Sequence, residues 1–141
     1  EDYDRVMDAG ASSKNIYFIR YADLILLYAE CLLAENDLAG AKQQVIRVRN
    51  RAKVSTPITA SNNTEMLDFI YEERMRELGM EGWRRMDLIR RGADYFAAQV
   101  DKYNPFAKGN VQPYHAFYPI PTNEINMNDG IGAEDQNEGY K

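Results

Sequence analysis

Glu72, Glu73, Glu77 and Glu81 crowd a short stretch that also holds Arg74, Arg76 and, a little further on, Asp87. Two carboxylates flanking a glycosidic bond are the machinery of glycoside hydrolysis, so a glycoside-processing enzyme is one reading of the cluster. The spacing favours a plainer one. Glu72 and Arg76 are four apart and Arg74 and Glu77 three apart, the separations at which side chains on a helix surface meet and pair. Arg74 also falls within the stripe formed by Leu67, Ile70, Tyr71 and Leu78. A charge there must be paired to tolerate burial, and Glu77, Glu81 or Asp87 can supply the carboxylate. The expectation is a structural ion-pair network, with no catalytic residue assigned.

The remaining reactive side chains lack companions. His115 is the sole histidine, and no His/Cys/Asp cluster at ligand spacing accompanies it, so it reads as a loop residue and no metal ligand is assigned. Cys31 lies in an apolar run and reads as a small buried hydrophobe. Ser12 and Ser13 have no triad context, and the absence of a Gly-rich phosphate loop leaves no cofactor site. Arg84, Arg85, Arg90 and Arg91 form one basic cluster, in which Arg84 and Asp87 are i,i+3 neighbours, the mark of a solvated or paired face. Trp83 and the tyrosines offer flat faces that stack on sugar rings. Trp83, Tyr21 and Tyr28 sit on helices and are expected to pack, whereas Tyr95, Phe96, Tyr103, Phe106 and Tyr114 lie in less regular sequence and are candidates for exposure. Packing is the preferred role for all of them, and ligand-binding residues remain unassigned.

The elements that must hold these groups are mostly helices. A polar lead-in over 1–15 and a β-prone run, Ile16 to Ile19, precede a helix from Arg20 to about Asn36. That helix is apolar nearly all round, the pattern of a helix buried between neighbours. Asp37 is placed to cap the next one, in which Ala41, Val45, Val48 and Ala52 share a stripe while Gln43, Gln44, Arg47 and Arg51 face away. Two helices joined by a short turn make an antiparallel hairpin, and Ala29 and Ala41 are small enough to let them approach closely, as in one tetratricopeptide-type repeat. After a loop over 53–63, Asn63 or Thr64 can cap a third helix with Glu65 in its first turn and Leu67, Ile70, Tyr71, Met75 and Leu78 on its buried face. A fourth helix runs from Trp83 to about Arg91 and stops at Gly92, and a last one from Asp94 to Tyr103. Residues 104–113 read as loop, and Pro119 and Pro121 force an extended tail.

At 141 residues the chain suffices for one compact domain, and a formal charge of -5 makes nucleic acid an improbable partner. No signal-peptide pattern or long apolar run is present, and the first residue is not Met, so the start reads as a cut in a longer chain.

Four segments resemble the carboxy-terminal half of the SusD/RagB family. RYADLILLYAECLLAENDLAGA (20–41) and VIRVRNRAKV (45–54) are similar to its helical hairpin. EERMRELGMEGWRRMDLIRRG (72–92) resembles its Glu-Arg helix, Glu-Gly turn and Arg-x-x-Asp-Leu helix. FYPIPTNEINMN (117–128) with QNEGY (136–140) resembles its closing segment, though Arg85 and Met86 stand where aromatics are often found and Glu138 where Pro is usual. The resemblance implies that residues 1–141 are the C-terminal portion of a SusD-like domain. The implied fold is mainly α, with a tetratricopeptide-like hairpin, further packed helices and an irregular extended tail. It also implies a non-catalytic, surface-exposed lipoprotein of the outer membrane in Bacteroidetes-type bacteria, binding oligosaccharides or other nutrients. Its partner would be a SusC-like TonB-dependent transporter, and its lipid anchor would precede this chain. A purely structural module, with the ligand site elsewhere in the full-length protein, is the alternative.

Overall fold

A computed structural model describes residues 18–141, and among them the chain is helical with no strand. Ser12, Ser13 and the expected lead-in lie outside the described residues, as do Ile16 and Tyr17 of the β-prone run. Phe18 and Ile19 form a bend, and Arg20 has the extended backbone that starts the first helix.

The chain divides into two compact units, one ending at Glu77 and the other spanning Leu78–Lys141. The first is a three-helix unit: α1 (Tyr21–Ala34), α2 (Leu38–Arg51) and α3 (Asn63–Glu77). Leu32, Leu33 and Asn36 shape the turn after α1. Asn36 takes a positive φ of 63°, a conformation that Asn tolerates better than most residues, and Asp37 N donates back to Leu32 O at 2.8 Å. Asp37 then caps α2 as expected, its Oδ1 accepting from Gly40 N at 2.8 Å. The cap of α3 lies one residue earlier than expected: Asn62 Oδ1 accepts from Glu65 N at 3.0 Å, and Glu65 Oε2 in turn accepts from Ser61 N at 2.7 Å. This is the reciprocal logic of a capping box, displaced by one position.

The core of this unit joins Leu26, Ala29 and Leu33 of α1, Ala41, Val45 and Val48 of α2, and Met66 and Ile70 of α3. Ala29 and Ala41 are both fully buried, so the close helix approach expected of the hairpin is present. Each large buried side chain contributes about 1.5–3 kcal/mol over its exposed state. Ala52 falls outside the predicted stripe, because α2 ends at Arg51 and Ala52 is exposed. On α3, Met66 joins the buried face, while Leu67 and Met75 are half-buried.

α1 departs from the expectation of burial on all sides. Only its Ala22–Leu26–Ala29–Leu33 face is covered; Tyr21 is 67% exposed, and Leu24 and Tyr28 are about half exposed. Cys31, expected to be buried, is exposed as well. The reason is that α2 and α3 both pack against one side of α1.

The second unit contains α4 (Arg84–Arg90), α5 (Ala93–Tyr103), a 3-10 turn (Pro113–Ala116), α6 (Thr122–Met127) and a final 3-10 turn (Ala133–Asp135). Gly92 separates α4 from α5 at a φ of 106°, open to glycine and strained for other residues. Its core is Leu88, Phe96 and Ala116, with Ile89, Tyr95, Val100 and Val111 against it. Phe96 is therefore packed; Tyr103 and Phe106 are exposed. α6 is an addition to the extended tail expected from the prolines. Pro121 immediately precedes it, and Pro121 O accepts from Glu124 N at 2.9 Å, so the fixed proline φ opens a helix rather than prolonging the extended path.

Candidate functional site

The charged cluster of α3 is wired into the packing of the first unit. Arg74 is 2% exposed and its Nη1 lies 2.7 Å from Asp23 Oδ1, with Nε 3.9 Å from Glu30 Oε1. Both carboxylates come from α1, whereas sequence spacing offered Glu77, Glu81 and Asp87. Of those, Glu77 is engaged by Arg20 and Arg51, and Asp87 by Arg90 at 3.2 Å. Tyr71 Oη donates to Glu30 Oε2 at 3.3 Å, tying a further α3 group to the same carboxylate.

A second buried pair joins α2 to α3. Arg49 Nη1 donates to Glu73 Oε2 at 2.9 Å, and its Nη2 donates to Thr56 O at 2.5 Å, anchoring the loop after α2. Arg49 was not singled out from sequence, although its place beside Val48 on the inner side of α2 was a usable signal. Glu73 also accepts from Arg76 at 3.0 Å, and the expected Glu72–Arg76 pair is present at 3.7 Å. Every one of these contacts neutralises a charge by linking or bracing helices. That arrangement suits a scaffold, because a general acid or base must have a proton to exchange with substrate.

Glu65 shows the same economy at the helix start. Its carboxyl is held below the usual carboxylate range, first by the Ser61 backbone N–H and then by the Ser61 hydroxyl, both of which favour the ionised form.

A cleft with room for a ligand lies in the second unit. An open cleft of about 700 Å³ is lined by Tyr114, Phe117, Gln112, Asn137 and Glu138 among others. Its walls are built from the tail. Gln136 pairs with both backbone groups of Ile120, Oε1 accepting from Ile120 N at 2.7 Å and Nε2 donating to Ile120 O at 3.0 Å. Asn137 Nδ2 donates to Tyr118 O at 2.6 Å, and Tyr140 Oη donates to Phe117 O at 3.1 Å. Pro119 and Pro121 have no N–H and interrupt any regular ladder, so amide and phenol side chains take over the seam.

Tyr114, His115 and Tyr140 form an aromatic cluster beside the cleft: Tyr114 and Tyr140 meet edge to face at 5.1 Å, and Tyr114 and His115 lie 4.2 Å apart. Gly139 closes this corner. Its φ is 87°, and a β-carbon there would collide with the Tyr114 ring. His115 has a structural task, its Nδ1 accepting from Gln112 N at 2.9 Å to brace the 3-10 turn. Arg85 fastens the tail: Nη2 donates to His115 O and Ala116 O, each at 3.0 Å. Its guanidinium also lies 4.3 Å over the Tyr118 ring and 5.1 Å over Phe96. Arg91 stacks in the same manner on Tyr95 at 3.9 Å. Two members of the basic cluster are thus bound to aromatic faces.

Among the described residues, Glu138 is the one acidic residue lining the cleft. Two convergent carboxylates, which glycoside hydrolysis requires, are not brought together there. Among the described residues no group of three or more His, Cys, Asp or Glu is placed to hold a metal ion, and no helix is long and apolar enough to cross a membrane.

The model of the SusD family matches residues 2–140. SusD-like protein P25 of Formosa agariphila is 34% identical over 134 residues, an alignment covering 92% of this chain and 25% of that protein. Starch-binding protein SusD of Bacteroides thetaiotaomicron is 32% identical over 133 residues, covering 90% of this chain and 22% of that protein. The chain spans about a quarter of the length of these relatives. No solved structure matches it significantly.

Proposed function

The chain belongs to the SusD family, and from that premise we propose that it is the C-terminal portion of a non-catalytic nutrient-binding protein of an outer-membrane uptake complex. In this reading the ligand is an oligosaccharide, and the partner is a SusC-like TonB-dependent transporter. The full-length protein is held at the cell surface by a lipid anchor outside this chain. The similarity to a protein named for starch binding supports a carbohydrate ligand.

The observation that carries the non-catalytic part is the disposition of charge. Of the four glutamates weighed above for catalysis, Glu72, Glu73 and Glu77 are bound to arginines. The cleft of the second unit instead offers aromatic rings beside amides, which is how a flat sugar face and its hydroxyls are recognised without chemistry. The first unit serves as scaffold, and the second carries the surface where sugar is held.

Calorimetric titration of the chain with a panel of neutral oligosaccharides, maltooligosaccharides included, tests this. Saturable binding is expected, weakened about tenfold by Phe117→Ala, the loss of one stacking face. Phe117 is 58% exposed, so its removal leaves the core intact. Release of reducing sugar during long incubation, or binding indifferent to Phe117, would refute the proposal.

A further inference from the structure

We propose that the groove where α1 begins against α2 is a binding site for an oxyanion, a carboxylate or sulfate group. Arg20, Arg47 and Arg51 line an open cavity of about 280 Å³ together with Tyr21. This is near the lower bound of ligand-pocket volumes, about 300–1,000 Å³, and fits a small charged group. The floor is apolar, formed by Ala22, Ile25 and Val48, so that side of a bound anion is shielded from water and its attraction to the guanidiniums is strengthened.

The charges of the groove do not balance. Among the described residues, none that lines the groove is acidic. One carboxylate stands behind the groove, that of Glu77, which is 2.9 Å from Arg20 Nη1 and 2.6 Å from Arg51 Nη2. Arg47 has neutral partners: Nη1 donates to Gln44 Oε1 at 2.7 Å and Nη2 to the Tyr21 hydroxyl at 3.3 Å. Arg47 and Arg51 are four apart on α2, where like charges repel, and an anion lying between them would relieve that repulsion. A guanidinium has five N–H donors in a planar fork matched to carboxylate and sulfate oxygens, and the bonds just named leave several of those of Arg47 and Arg51 for a ligand. Glu77 holds two of the arginines in place, while Arg47 supplies a charge that no carboxylate among the described residues meets.

The test is a titration of the 141-residue chain followed by the arginine Nε–H signals in nitrogen-15 NMR, with sulfate, glucuronate and glucose as separate ligands and sodium chloride as the ionic-strength control. Saturable shifts of the Arg47 and Arg51 signals with sulfate or glucuronate, and none with glucose, support the site. Response to sulfate alone identifies a free inorganic anion as its occupant, and response to glucuronate identifies an acid group carried on a sugar. Arg47→Gln should weaken binding about tenfold or more, whereas Lys108→Gln, which removes the same charge from an exposed position of the second unit, should leave it unchanged. Equal shifts with chloride, or unaltered binding in Arg47→Gln, would overturn the assignment. This inference is independent of the cleft in the second unit: loss of neutral-sugar binding in Phe117→Ala leaves it standing.

Discussion

Arg74 and Asp23, fifty-one positions apart in the chain, meet at 2.7 Å inside the three-helix unit. Asp23 Oδ1 is buried and accepts no hydrogen bond of good geometry, so its compensation is the Arg74 charge itself. Truncating Arg74 strands Asp23, with Glu30 nearby, in the interior. Arg74→Ala should lower stability by about 3–5 kcal/mol, measured by thermal or urea unfolding. The double replacement Arg74→Met with Asp23→Leu should recover much of that loss, since an apolar pair of similar volume requires no compensation. A wild-type melt for Arg74→Ala would show that this contact does not hold α1 to α3.

The Arg49–Glu73 and Arg76–Glu72 pairs differ in exposure, and their salt dependence should differ accordingly. The first has side chains 7% and 6% exposed, the second 48% and 37%. Glu73→Gln should cost about 1.5–3 kcal/mol with little change on adding salt. Glu72→Gln should cost less than about 1 kcal/mol and become neutral at high ionic strength. Urea unfolding of both variants at low and high salt distinguishes them.

Glu65 makes the start of α3 sensitive to acid. Its folded carboxyl titrates below the ordinary value of 4.5, so the folded state favours the ionised form. The contribution is complete above the unfolded value and is lost as pH falls through the lower, folded one. The melting temperatures of wild type and Glu65→Gln should therefore differ near neutrality and converge in acid. NMR titration should place the Glu65 carboxyl midpoint below 4.5.

Arg85 combines two carbonyl contacts with two aromatic faces, a set that a lysine ammonium reproduces poorly. Arg85→Ala should destabilise the second unit by about 1.5–3 kcal/mol, and Arg85→Lys should restore less than half of that. Limited proteolysis should show earlier cleavage around Tyr118 in both variants. Equal protease resistance would mean that the tail is held without this residue.

The hairpin was legible because periodicity and capping are local: the Ala41–Val45–Val48 stripe and the Asp37 cap both follow from residues within a few turns of one another. That Arg74 had to be paired was also legible from its stripe. The identity of its partner was not, since spacing rules reach four residues along a helix and Asp23 belongs to another one. Tyr21, Tyr28 and Cys31 were placed in a core because an apolar helix was read as covered on every side, whereas two neighbours cover only one of its faces. The cleft was beyond sequence reasoning for a different reason. It exists only once the Gln136, Asn137 and Tyr140 side chains have bonded to backbone groups between 117 and 120, and nothing in the residue types announces those pairings. Arg85 drew notice as a departure from the family pattern, and its work as a fastener became visible only in three dimensions.

The pairing of Gln136 with Ile120 has a chemical corollary. One end of that side chain must offer a lone pair, which Ile120 N and Asn137 N share, while the other offers a proton to Ile120 O. Glutamate has the same shape and length but, once ionised, brings a second acceptor against the Ile120 carbonyl oxygen. Replacing this one amide by a carboxylate would therefore break one of the seam's three side-chain fastenings without changing its size, leaving Asn137 and Tyr140 to hold the rest.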